Sequence, residues 1–98
     1  MVITKTTENE KVIFNVSGRL DTATAPELEA ELNKVWDDAQ ELVMDIGELE
    51  YMSSAGLRLL LAAQKKMADK GGLKVVNVNE VIMEIFEITG FSDILTIE

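Results

Sequence analysis

The stretch Tyr51 to Leu60, YMSSAGLRLL, sets two adjacent hydroxyls, two small residues and one cation at the head of a run of leucines. A serine at a helix start faces backbone N–H groups that lack intrahelical partners and the positive end of the helix dipole. That setting suits two roles. One is an N-cap, the commoner use of a serine there. The other is a phosphate acceptor, because a phosphoryl group on such a serine is stabilised by the same N–H groups and dipole. Ala55 and Gly56 keep the neighbourhood small enough for another protein's active site to reach a hydroxyl. The residue types alone leave Ser53 and Ser54 both open to either role.

Asp21 is the second candidate, in the polar run Arg19 to Ala25 (RLDTATA). Aspartate in such a loop is most often a turn former. It gains interest because its loop and the serine turn both leave strand ends and enter helices, which predicts that they lie close together.

Other chemistry is closed off by composition. The 98 residues include no cysteine and no histidine. Thiolate catalysis, disulfides, thiolate metal sites and Ser/His/Asp or Cys/His constellations within the chain are therefore excluded. There is no G-x-x-x-x-G-K-[ST] and no G-x-G-x-x-G; Gly71-Gly72 reads as a helix stop. No metal and no cofactor is called for, and nothing amounts to a self-sufficient active site. Eighteen acidic against nine basic residues give a net charge of −9. Such a surface repels nucleic acid and anionic lipid and favours a basic partner or a basic patch on one. The N-terminus lacks a leader pattern, and no apolar run approaches the ~18 residues that span a bilayer, so a cytoplasmic protein without membrane insertion is expected.

The elements that must position these residues read as follows. Met1 to Thr6 and Lys11 to Ser17 form a hairpin across the polar Thr7 to Glu10. Gly18 then breaks the strand and a loop runs to Ala25. Thr24-Ala25-Pro26-Glu27 has the capping-box pattern with proline in the first turn. The helix it opens places Leu28, Leu32, Val35 and Trp36 inward, with Glu27, Glu29 and Glu31 solvated, and ends at Asp37 to Ala39. Glu41 to Ile46 reads as a central strand, and Gly47 to Met52 as the lead into the serines. From Ser54 a second helix carries Leu57, Leu60, Leu61 and Met67 on one stripe and stops at Gly71-Gly72. Leu73 to Val76 is a strand, Asn79 caps a third helix with Ile82, Ile85 and Phe86 inward, and Gly90 ends it. Ile94 to Ile97 is an edge strand or a packed tail. The order β-β-α-β-α-β-α predicts one α/β domain over residues 1–98, with a mixed sheet of four to five strands layered with three to four helices. Met44, Met52 and Met67 are expected as core filler.

Val43 to Leu61, VMDIGELEYMSSAGLRLLL, resembles the signature of STAS domains, in particular the small bacterial anti-sigma factor antagonists. Gly18-Arg19-Leu20-Asp21 is similar to that family's G-x-L-D loop, and Ile85 to Phe91 to its last helix and glycine exit. The resemblance implies a regulatory binding module, not an enzyme. Its partner is an anti-sigma factor with serine kinase activity, and phosphorylation switches the complex; a phosphatase resets it. The family motif D-S-x-G-L lays its acceptor on Ser54, with Ser53, where many members have Asp, as the second choice. The partner-contacting set implied is Asp21, Thr22, Ser53, Ser54, Gly56, Leu57 and Arg58. A different reading also fits the resemblance: a STAS subunit of a lipid-transport or signalling-scaffold complex, in which the serine is only a helix cap.

Overall fold

Alternation of apolar side chains builds one face of a four-stranded sheet, and that face organises the molecule. In the computed structural model, which covers residues 1–98, the strands are β1 (Val2–Glu8), β2 (Lys11–Leu20), β3 (Glu41–Met52) and β4 (Leu73–Val76). The helices are α1 (Ala25–Asn33), α2 (Ser54–Met67) and α3 (Glu80–Thr89), followed by a 3₁₀ turn at Phe91–Asp93. The sheet order is β1-β2-β3-β4, with β1 antiparallel to β2 and the other pairs parallel.

Parallel register sets Val12 beside Leu42 and Leu42 beside Leu73, then Phe14 beside Met44 and Met44 beside Val75. Cross-strand neighbours share a face, so these side chains form two apolar rows. Both parallel connections step the same way across the sheet, and right-handed crossovers then place α1 and α2 on one side of it. Leu28 and Leu32 of α1, Leu60 and Met67 of α2, and Ile82 and Phe86 of α3 close over those rows as one cluster of 23 buried residues. The three core methionines are all buried. Ile13, Asn15, Asp45 and Lys74 alternate onto the other face, where the sheet has no helical layer.

The element order is as the sequence predicts, and several bounds and one cap differ. The hairpin is tighter: β1 runs to Glu8 and the turn is Asn9-Glu10, with Asn9 in the left-handed region (φ 58°) that asparagine tolerates. β2 does not break at Gly18 but continues to Leu20, because Gly18 takes φ 90° and the register shifts there. β3 likewise runs through Gly47 to Met52, drawn on by β2, with Gly18 paired to Leu49 and Leu20 to Met52. Both strands thus reach the Asp21 and Ser53 loops, which shortens those loops and fixes their ends.

The capping box at Thr24 is not formed. Thr24 is helical (φ −99°, ψ −22°) and makes no side-chain cap bond. Its hydroxyl is turned back into the loop, accepting from the Asp21 N–H (2.9 Å) and lying 2.8 Å from the Arg19 carbonyl to which it donates. α1 itself ends at Asn33, and the following turns bury Val35 and Ala39. The Lys70 ammonium ties this stretch to the end of α2 by donating to the carbonyls of Trp36 and Ala39. At the C-terminus, Ile97 makes a single parallel bridge to Val75, so the tail packs as an edge residue and not as a fifth strand.

Candidate functional site

The site is built where β2 and β3 end side by side. Arg19 pairs with Tyr51 and Leu20 with Met52, and the chain leaves the two strands at Asp21 and Ser53. The Ser53 N–H donates to the Leu20 carbonyl (2.9 Å), so the two loops are joined by a backbone hydrogen bond. The proximity expected of Asp21 and the serine turn follows from this shared register.

The two serines are not equivalent. Ser53 has extended backbone (φ −91°, ψ 178°) and its Oγ accepts from the Ala55 N–H at 3.2 Å, the geometry of an N-cap. Ser54 is the first helical residue, exposed, with its hydroxyl in no protein hydrogen bond. Arg58, exposed as well, lies four residues on and so projects from the same side of the helix.

Asp21 organises its own loop. Its Oδ1 accepts from the backbone N–H of Ala23 (3.0 Å) and Thr24 (3.1 Å), and Ala25 N–H bonds its carbonyl at 2.8 Å. The Thr24 N–H is the chief cause that holds the Asp21 carboxyl below its ordinary range. Partial desolvation opposes it, and the Thr24 hydroxyl, the Ala23 N–H and the Arg19 guanidinium add to the lowering. The Thr24 hydroxyl is 3.2 Å from Oδ1. Its single proton is shared between Oδ1 and the Arg19 carbonyl, which lies closer at 2.8 Å.

Two features escaped the sequence reading. The Arg19 guanidinium lies over the Tyr51 ring, 4.5 Å from its centroid, and 3.8 Å from Asp21 Oδ2. Tyr51 remains 38% exposed, so this aromatic and cation present themselves beside the serines. The signal was available: each residue stands two before a candidate, and parallel strands ending together must pair such positions. The second feature is a groove of about 290 Å³ between α1 and α2, lined by Thr22, Pro26 and Glu29 on one wall and Ala55, Arg58 and Leu59 on the other. Among the groups present, no cluster of three or more carboxylates could hold a metal ion.

A family model for the STAS domain matches residues 2–98. The chain belongs to the STAS domain family. The anti-sigma-B factor antagonist of Bacillus subtilis is 32% identical to this STAS domain over 94 residues, 95% of this chain and 85% of that protein. The crystal structure of an anti-sigma factor antagonist from Mycobacterium paratuberculosis superposes with a TM-score of 0.88 at 27% identity, covering 98% of this chain and 83% of that one. SpoIIAA of Bacillus shares the fold in its unphosphorylated form (TM-score 0.83, 16% identity, 99% and 88% covered). Its phosphorylated form does so as well (0.77, 16%, 99% and 91%).

Within this STAS domain the seven sequence-derived site residues divide by exposure. Thr22, Ser54 and Arg58 are exposed, and Asp21 and Ser53 are half-buried at the surface. Gly56 and Leu57 are buried in the first turn of α2. A Cβ at Gly56 would stand 2.7 Å from Met52 Cγ and 2.8 Å from Leu20 Cγ. The glycine lets α2 lie directly on the paired strand ends, and Leu57 anchors the same turn in the core. Both pack the first turn of α2 against the strand ends, with Ser54 exposed at its head. No helix is long and apolar enough to cross a membrane.

Proposed function

We propose that this chain is an anti-sigma factor antagonist: a binding module, not an enzyme, whose partner is an anti-sigma factor that is also a serine kinase. The observation that carries the reading is the division of labour at the head of α2. Ser53 spends its oxygen on the cap, which leaves the Ser54 hydroxyl free and exposed at the first helical position. The names of the relatives support the partner class. The surface residues around Ser54, namely exposed Thr22 and Arg58 and half-buried Asp21 and Ser53, form the contact face, joined by Arg19 and Tyr51.

The partner supplies ATP and the catalytic groups. The Ser54 oxygen attacks the γ-phosphorus, the bond to the β-phosphate oxygen breaks, and the hydroxyl proton passes to a base of the kinase. The product carries about −1.5 to −2 further charges at neutral pH. At the head of α2 that charge is favourable for the helix. Across a binding face next to Asp21, on a chain of net charge −9, it adds repulsion and a desolvation cost, which weakens the complex without refolding. A fold of this kind tolerates a phosphate, as the two forms of SpoIIAA illustrate. A phosphatase resets the switch in the cytoplasm, with no nucleic acid contacted and no membrane entered.

The test is a calorimetric titration of the anti-sigma factor with this chain, unmodified and carrying phosphoserine at position 54. The phosphorylated chain is expected to bind at least about tenfold more weakly, the ~1.4 kcal/mol scale of one lost charged contact. Equal affinities would overturn the reading.

A further inference from the structure

Helix α3 is apolar over more of its circumference than the core uses. Ile82 and Phe86 are fully buried, whereas Val81 is 55% and Ile88 77% exposed and Ile85 is half-buried. Positions 81, 85 and 88 have the i, i+4, i+7 spacing that forms one row along a helix. Glu80, Glu84 and Glu87 repeat that spacing one residue earlier and form an acidic row alongside it. None of these carboxylates has a basic partner, since the ion pairs of the chain join Arg19 to Asp21, Lys34 to Glu31, and Lys74 to Glu41 and Glu98. Just beyond the helix, Ile94 is 45% exposed. A helix with apolar residues on two sides is ordinarily covered on both.

From these paired rows we infer that the outer face of α3 is a docking surface for an amphipathic helix of a partner protein, one with a row of lysine or arginine beside its apolar row. The apolar rows pack together and the basic row meets Glu80, Glu84 and Glu87. Charge selects this occupant. A second copy of the chain would bring its own acidic row and its own net charge of −9 to the contact, and an anionic membrane would be repelled in the same way. The surface is separate from the Ser54 site and independent of the function proposed for it. Asn79 fixes the start of α3 to β3 by donating to the carbonyls of Leu49 (2.8 Å) and Gly47 (3.4 Å), so the docking face rests on the sheet and not on the serine turn.

The probe is a synthetic amphipathic peptide of about four helical turns, apolar at i, i+4 and i+7 with lysines in the adjacent row, titrated into the full chain and followed by NMR. Shifts are expected at Val81, Ile85 and Ile88, with affinity falling at least about tenfold in Ile88→Glu and in Glu84→Lys. A twin peptide with glutamate in place of lysine is expected not to bind. Both substituted side chains are exposed, and a thermal melt checks that each variant folds; should Ile88→Glu unfold, Glu84→Lys decides. Shifts confined to the α1–α2 groove, equal affinity in a folded variant, or equal binding of the glutamate twin would overturn the inference. So would self-association abolished by Ile88→Glu, or adsorption of the chain to phosphatidylglycerol vesicles, each of which assigns the face to another occupant.

Discussion

The backbone N–H of Ser53 donates to the carbonyl of Leu20 at 2.9 Å, and this bond ties the serine turn to the aspartate loop. Two segments separated by some thirty positions thereby leave the sheet from one point. Leu20 and Met52, paired just inside that bond, form the floor on which Gly56 sets the first turn of α2. Position of the Ser54 hydroxyl is thus a property of the strand ends.

Because Ser53 and Ser54 have different tasks, their substitutions separate. Ser53→Ala removes the cap and is expected to cost about 1 kcal/mol in urea denaturation, while Ser53→Asp retains an acceptor at the positive helix end and costs little. Ser54→Ala, on an exposed first-turn residue, leaves stability within about 0.5 kcal/mol. A reversed order, with Ser54→Ala the costlier change, would contradict the assignment of the cap.

At Gly56 the constraint is space. Gly56→Ala drives a methyl into Met52 and Leu20, and overpacking of this kind costs about 1–3 kcal/mol. Combined with Met52→Ala, which opens room at the same contact, the two costs are expected to sum to less than their separate values in a double-mutant cycle. Strict additivity would show that the methyl is accommodated elsewhere.

Asp21 gives the molecule an acid-sensitive loop. Its folded pKa is lowered from 3.8, so its ionised form contributes stability that is fully present above the unfolded value and is lost as pH falls through the folded one. The stability difference between the wild type and Asp21→Asn is therefore expected to be constant from neutral pH down to about 5 and to shrink below about 4. Denaturant titrations across that range check it; a difference that does not change with pH would mean that the carboxylate charge is irrelevant to the loop.

Asn79 uses both ends of its amide. Oδ1 accepts from the Ile82 N–H at 3.0 Å, and Nδ2 donates to β3. Asn79→Asp keeps a good cap yet sets an oxygen against the Leu49 carbonyl, so it is expected to destabilise by about 1–3 kcal/mol, as much as Asn79→Ala. A neutral Asn79→Asp would show that the bonds to β3 carry little.

Much of this was legible in the chain itself. Alternation in KVIFNVS and the helical spacing of Leu57, Leu60 and Met67 specify elements because each apolar residue in so small a domain is needed for the core. Strand ends were misjudged at Gly18 and Gly47, since glycine reads locally as a break; whether a strand continues depends on the neighbour that pairs with it, which local pattern does not encode. The same blindness hid Arg19 on Tyr51, a contact made by register. At Thr24 the box pattern was present, but Asp21 three residues earlier takes the Thr24 N–H that the box would give to Glu27, and the Thr24 hydroxyl is held by the Asp21 N–H and the Arg19 carbonyl. The family motif located the serine turn, and only the geometry showed that Gly56 and Leu57 face inward.

The central claim is that Ser54 is the acceptor while Ser53 is the cap. The direct measurement is to incubate the chain with the proposed anti-sigma factor kinase and ATP and to map the phosphate by mass spectrometry. The account predicts a single phosphate on Ser54 that is absent from Ser54→Ala and still present on Ser54 in Ser53→Ala. Phosphate on Ser53, or none on either serine in the presence of an active kinase, would contradict it.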